Sequence, residues 1–158
     1  MNEYKLKNEW TFYIHLQDNS DWSLKSYHKI MKFDTITDGI LIHKACDMEL
    51  AKHTLYFVMR DNIEPIWESV DNVNGGSFSF RIPNKDIEQV WKTVYYKLIG
   101  DTLMKDKEVM DAVTGISNSP KKSFCILKIW MKNKKYQSVN IFNLKNIDVS
   151  GGRFKPHS

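Results

Sequence analysis

Trp22 and Trp67 each stand in a polar, turn-rich stretch rather than in an apolar run, and an acid, Glu68, directly follows the second. Two loop indoles can hold a flat ring between them, gaining roughly 1–3 kcal/mol of stacking per base and about 0.5–2 kcal/mol more when the ring is cationic. A carboxylate beside them can accept two adjacent N–H donors in bidentate fashion. Lys121 and Lys122 fall at the turn of an expected hairpin, where their charge is available to phosphates. Taken singly, each residue has a bland role, because loop tryptophans usually lid the core and such charges are usually solvated. Together they meet the needs of one ligand class, an N7-methylated guanine carrying phosphates. Methylation spreads positive charge over the ring, and the Watson–Crick edge of guanine presents N1–H and the N2 amino group side by side.

The elements that must position these residues follow from periodicity and turn chemistry. Trp10 to Leu16 is β-rich and leads through the polar loop Gln17–Asp21 to Trp22; Tyr27 to Phe33 reads as a second extended stretch. Thr35 and Asp38 have capping-box spacing, and Ile36, Ile40, Leu41, Ala45 and Met48 follow at helical intervals. Thr54 to Met59 is a buried-strand candidate, and Pro65 then puts Trp67 in a loop. Turn residues Asn72 to Gly76 lead into the alternating strand Ser77 to Ile82. Asn84 is the expected cap of a helix striped by Ile87, Val90, Trp91, Val94, Tyr95 and Leu98 and stopped at Gly100. A short helix over Lys105 to Asp111 should precede a hairpin of Val113 to Pro120 and Phe124 to Met131. Gln137 to Asn146 reads as a last short helix, and residues 1–5 and 150–158 as mobile ends. Strands mixed with helices, without repeated βαβ units or a Gly-rich phosphate loop, give an α+β class with helices on one face of an antiparallel sheet.

The 158 residues suit one domain, 1–158, with an ordinary globular composition and no apolar run of membrane-spanning length. The net charge of +4 is compatible with a polyanionic partner. Cys46 and Cys125 lack zinc-type spacing and read as buried thiols. The histidines at 15, 28, 43, 53 and 157 form neither a nucleophile motif nor a metal motif such as HExxH. Binding is therefore expected rather than catalysis, with no cofactor and no metal.

In order and spacing, Trp10-Thr11-Phe12-Tyr13, Phe33-Asp34-Thr35-Ile36-Thr37-Asp38, Ile63-Glu64-Pro65-Ile66-Trp67-Glu68, Gly75-Gly76, and Trp91 with Leu98-Ile99-Gly100 carry a resemblance. Over about Leu6 to Met131 the chain resembles the eukaryotic translation initiation factor 4E family, the messenger RNA cap-binding proteins. The resemblance implies a curved antiparallel sheet with helices on its convex face and the cap slot on the concave side. It makes Trp22 and Trp67 the stacking indoles, Glu68 the guanine-edge acceptor and Trp130 the tryptophan beside the N7 methyl group.

Departures from the family pattern are specific. Ser77 stands where an Arg usually follows Gly-Gly, and Lys121 and Ile126 stand where the last hairpin usually presents Arg and then Lys. Lys122 and Lys128 are the expected substitutes, since Lys128 shares strand parity with Trp130. On the helical face, Ile40 and Lys92 occupy the positions of the family's tryptophan and leucine that hold an amphipathic peptide of a factor 4G scaffold or an inhibitor. Ile36 and Tyr96 keep apolar character there, so a groove of changed specificity is expected. The resemblance thus implies a cytoplasmic, monomeric protein that binds capped messenger RNA in support of translation initiation. A cap-sequestering repressor is the alternative, and a nucleotide-processing enzyme a remote third reading.

Overall fold

Thr11, Tyr13 and His15 face one side of the first strand and Trp10 and Phe12 the other, yet all five are buried, so this strand is covered on both faces. A computed structural model describes residues 4–158. The strands are β1 (Lys5–Leu16), β2 (His28–Thr35), β3 (Thr54–Arg60), β4 (Gly76–Pro83), β5 (Val113–Pro120), β6 (Phe124–Met131) and β7 (Arg153–Pro156). Among the described residues they form one curved antiparallel sheet in the order β2-β1-β3-β5-β6-β4-β7. The helices are α1 (Ile36–Ala45), α2 (Met48–Ala51), α3 (Ile87–Ile99) and α4 (Lys107–Asp111).

The main core lies between the convex face and the helices. The α3 stripe of Ile87, Val90, Trp91, Val94, Tyr95 and Leu98 is buried in one cluster with Trp10, Phe12, Tyr56, Val58, Phe78 and Ile129 of the strands. Each such side chain contributes about 1.5–3 kcal/mol relative to exposure. Thr35 caps α1 as its spacing implies, its Oγ1 accepting from the Asp38 N–H at 3.2 Å. Gly39, a poor helix former, sits close beneath α3: a Cβ there would lie 2.7 Å from Ile99 Cδ1, so that side-chain end would have to shift, and the Gly39 carbonyl accepts from the Tyr95 hydroxyl at 2.6 Å. Helix α1 ends at Ala45, and Met48 opens the separate turn α2, capped by Asp47. The β5–β6 hairpin has the expected bounds, with the Lys121 N–H donating to the Phe124 carbonyl at 2.8 Å across its turn.

Three expectations are corrected. Asp86, not Asn84, precedes α3; the Asp86 N–H turns back to the Pro83 carbonyl, and Asn84 Oδ1 instead faces the Cys125 thiol. Gln137 to Asn146 contains only the 3-10 turn Val139–Ile141. Its backbone is drawn into tertiary pairing, with Lys105 N–H donating to Ile141 O and Asn143 N–H to Leu103 O, while Phe142 packs edge-on against Phe78 and Phe80. The end read as a mobile tail forms β7, paired with β4 from Gly76↔Pro156 to Ser79↔Arg153. Of the expected mobile start, residues 1–3 lie outside the described residues, and Lys5 opens β1.

Candidate functional site

The concave face carries a second, smaller aromatic cluster of Tyr13, Phe57, Met59 and Trp130, and above it opens a cavity of about 550 Å³. Strand register builds its floor. Phe57 pairs with Ser117, Ser117 with Lys128, and Lys128 with Ser79; in the next row Trp130 pairs with Ser77, and Ser77 with Lys155. Because side chains alternate along strands, these residues share one face. A chain of edge-to-face rings runs through the site: Trp22 on Tyr27 at 6.4 Å, Tyr27 on Phe57 at 5.2 Å, Phe57 on Trp130 at 6.3 Å and Trp130 on His157 at 5.3 Å. The Trp130 indole N–H donates to Ser117 Oγ at 3.0 Å, which fixes the ring orientation.

Trp22 and Trp67 come from two different loops, β1–β2 and β3–β4, and line the same cavity. They are 50% and 47% exposed, so each keeps an aromatic surface for a ligand. The Trp67 loop is anchored by Asn72, which is fully buried. Its Nδ2 donates to the carbonyls of Glu64 and Ile66, both at 3.0 Å, and its Oδ1 accepts from Thr114 Oγ1 at 2.8 Å. The His157 ring Nδ1 lies 2.8 Å from the Asn72 carbonyl, tying the chain end to this loop. Glu68 is exposed at the rim. Burial holds the Tyr27 hydroxyl up to about 12, with the negative charge of Glu68 adding to it, which places that carboxylate within electrostatic reach of the slot floor.

The other end of the slot is basic. Lys128 is half-buried, and burial first, then the charges of Lys155 and Lys121, push its ammonium pKa below the usual lysine range. Glu68 is the one acid lining the cavity among the described residues, and Ser77, Ser79 and Ser119 add hydroxyls. Two ammonium groups brought together among hydroxyls suit an anion, whose charge relieves their mutual repulsion. His157, which also lines the cavity, is shifted below the usual imidazole range by burial first, the Asn72 hydrogen bond opposing and Lys128 adding.

Trp22, Trp67, Glu68, Trp130 and Lys128 are thus brought together. Lys121 and Lys122 are not: they line a second cavity of about 520 Å³ with Asp47, Glu49, Lys85 and Glu88, because the hairpin tip extends beyond the slot. Lys121 still adds to the field at Lys128. Lys155 and His157 also line the cavity and Asn72 anchors its Trp67 loop, and sequence reasoning singled out none of the three. The available signal was Gly151-Gly152-Arg153-Phe154-Lys155, where glycines precede alternating residues. A Cβ at Gly152 would lie 2.3 Å from the Phe80 ring, and one at Gly76 2.6 Å from the Lys155 carbonyl.

On the opposite face, Ile36 and Ile40 are 43% and 37% exposed and Leu41 is 57% exposed. Tyr96 is half-buried, its ring edge-on to His43 at 5.2 Å. Lys92 is exposed, and its charge, after burial, helps lower the His43 pKa. Ile36, Ile40, Lys92 and Tyr96 therefore share one partly apolar surface across α1 and α3. Among the described residues no cluster of His, Cys, Asp and Glu is arranged to hold a metal ion, and no helix is long and apolar enough to cross a membrane.

Comparison with known proteins places this architecture. A translation initiation factor 4E homolog of Acanthamoeba polyphaga mimivirus is 26% identical over 145 residues, covering 75% of this chain and 52% of the relative. Translation initiation factor 4E-1 of Caenorhabditis elegans is 26% identical over 137 residues, covering 82% of this chain and 63% of the relative. The chain thus spans between about half and two thirds of the length of these relatives. A schistosome initiation factor 4E, solved in complex with m7GpppG and 4E-BP, superposes with a TM-score of 0.75 at 22% identity, covering 85% of this chain and 75% of that one. The profile of the eukaryotic initiation factor 4E family matches residues 5–148. Since that match runs from the first residue of β1 through the whole of the β5–β6 hairpin, the chain belongs to the eukaryotic initiation factor 4E family.

Proposed function

We propose that this protein binds the 7-methylguanosine cap of messenger RNA in support of translation initiation. The observation that carries the reading is the pair of half-exposed indoles, Trp22 and Trp67, lining one cavity with Glu68 at its rim. Stacking on both faces of a cationic base uses the indole quadrupoles, and Glu68 accepts the guanine N1–H and N2 amino donors. Trp130 lies where the methyl group is received. Lys128 and Lys155 take the phosphates, as point charges rather than bidentate forks. The m7GpppG held by the schistosome neighbour supports the same ligand class. This is a binding role: the base and phosphates are held, and no bond is made or broken.

The exposed surface of Ile36, Ile40 and Leu41 supports a further partner, an amphipathic 4E-binding peptide from a factor 4G-like scaffold or an inhibitor. Lys92 supplies a charge beside it that changes which peptide fits. That charge also favours the second reading, a cap-sequestering repressor that does not recruit the usual scaffold. Retention on immobilised 7-methylguanosine triphosphate tests the cap reading. Wild-type protein is retained, whereas Trp67→Ala and Glu68→Ala pass through while keeping the wild-type melting temperature. Equal retention of all three would sink it. Recovery of a scaffold protein with the retained chain selects initiation over sequestration.

A further inference from the structure

His15 stands beneath Trp22. It is fully buried, its ring lies parallel to the indole at 3.9 Å with an interplanar angle of 2°, and it covers one indole face. Its Nδ1 is 2.9 Å from the Leu16 carbonyl and its Nε2 2.7 Å from the Asp21 carbonyl. Carbonyl oxygens only accept, and a neutral imidazole has a single N–H. Both contacts are hydrogen bonds only when the ring carries both protons.

We infer that His15 is a positioning residue for the first stacking indole, a doubly protonated ring that staples the Trp22 loop to β1 and turns the free indole face to the ligand. The inference rests on the cap-binding reading for its consequence, though the staple itself exists in the free protein. One bond anchors the ring to its own strand, and the other holds Asp21, the residue before Trp22. The indole face is electron-rich, so a cationic ring beneath it is attracted rather than merely packed. Deprotonation leaves a lone pair aimed at a carbonyl oxygen and releases one end of the staple.

The charged surroundings agree. From the loop, the Asp21 carboxyl is held below the usual carboxylate range by hydrogen bonds from Ser23, with Lys25 and His15 adding smaller contributions. Tyr27 meets the ring edge-on at 4.9 Å and is neutral up to about 12, with Glu68 behind it. From β3 the residue opposite is Leu55, and from β2 the nearest titratable residue, His28, pairs with Ile14. Asp21 is thus the anion whose charge couples to the ring.

Nitrogen-resolved NMR of the free protein at about pH 6 tests the staple without any ligand. Both ring nitrogens of His15 are expected in the protonated range, with Trp22 fluorescence rising as the pH is raised and the ring loses its proton. The second arm compares 7-methylguanosine triphosphate affinity in wild type and His15→Phe, which keeps a ring but loses both bonds. His15→Phe is expected to bind about tenfold more weakly at about pH 6, and the gap closes as the pH is raised. The ionisation of the ligand is common to both proteins and cancels in the ratio. A bare ring nitrogen on His15 at about pH 6, or parallel affinity profiles in the two proteins, overturns the inference. If His15→Phe does not fold, the ring-nitrogen spectrum decides alone. If wild type ignores the cap analogue, the cap reading fails while the spectrum still judges the staple.

Discussion

Replacing Lys155 by Gln removes one of the two slot lysines without disturbing the β4–β7 backbone pairing, in which Lys155 stands opposite Ser77. A phosphate charge at about 5 Å from an ammonium gains about 0.8 kcal/mol in bulk water and about 3 kcal/mol at the effective dielectric of a protein surface. Lys155 is exposed, so its share lies toward the low end. Its removal also relieves Lys128, whose proton is loosened by burial and then by the charge of Lys155, and that returns part of the loss. The expected net effect is about 1 kcal/mol, about fivefold in Kd. Quenching of tryptophan fluorescence by 7-methylguanosine triphosphate, titrated at several salt concentrations, reads it directly. The variant should bind more weakly with a shallower salt dependence, whereas the uncharged-tail control, 7-methylguanosine nucleoside, should bind both proteins equally. An equal loss for the nucleoside, or no loss for the triphosphate, would refute the assignment of Lys155 to the phosphates.

Other perturbations separate the remaining parts of the site. Glu68→Gln keeps the size of an exposed side chain but loses the bidentate carboxylate, so cap-analogue affinity should fall by about 1.5–3 kcal/mol, roughly 10- to 150-fold. The loss should be smaller for the 7-methylinosine analogue, which lacks the N2 amino group. Gly115→Ala should cost about 1–3 kcal/mol in denaturant unfolding, because its Cβ would lie 2.5 Å from both the Val58 carbonyl and Met59 Sδ. His43 and His157 have pKa values lowered in the fold, burial being the first cause for each. The unfolded chain therefore takes up more protons than the folded one just below the ordinary imidazole value. Their contribution to stability, present above about pH 6.5, should be lost as the pH falls through the lowered folded values, with a slope of at most about 1.4 kcal/mol per pH unit for each group. Thermal melts across that range measure it.

The parts of this fold legible in the sequence are those governed by local chemistry. The β5–β6 hairpin follows from two alternating runs around Lys121-Lys122-Ser123, α1 from the Thr35 cap, and the α3 stripe from its helical spacing. What could not be read was decided by distant partners. Residues 137–146 yield helical hydrogen bonds to pairing with Leu103 and Lys105. The segment Arg153–Pro156 becomes a strand only because β4 offers an open edge and Gly76 and Gly152 permit close approach. In the site, Trp130 is implied by the family resemblance, and Trp22, Trp67 and Glu68 carry type-specific chemistry visible residue by residue. Lys155, His157 and Asn72 do not, since their roles arise from strand register and from a buried hydrogen-bond hub. Lys121 and Lys122 mislead for the same reason: hairpin identity gave their position along the chain but not how far the tip reaches beyond the slot.

The central claim is that Trp22 and Trp67 hold a base because it is cationic. Calorimetric titration of the wild-type protein with 7-methylguanosine triphosphate and with unmethylated GTP, under identical conditions, isolates that charge, since the two ligands differ by one methyl group. Two cation–π contacts predict a preference of about 2 kcal/mol, roughly thirtyfold, for the methylated ligand. Equal affinities for the two would contradict it.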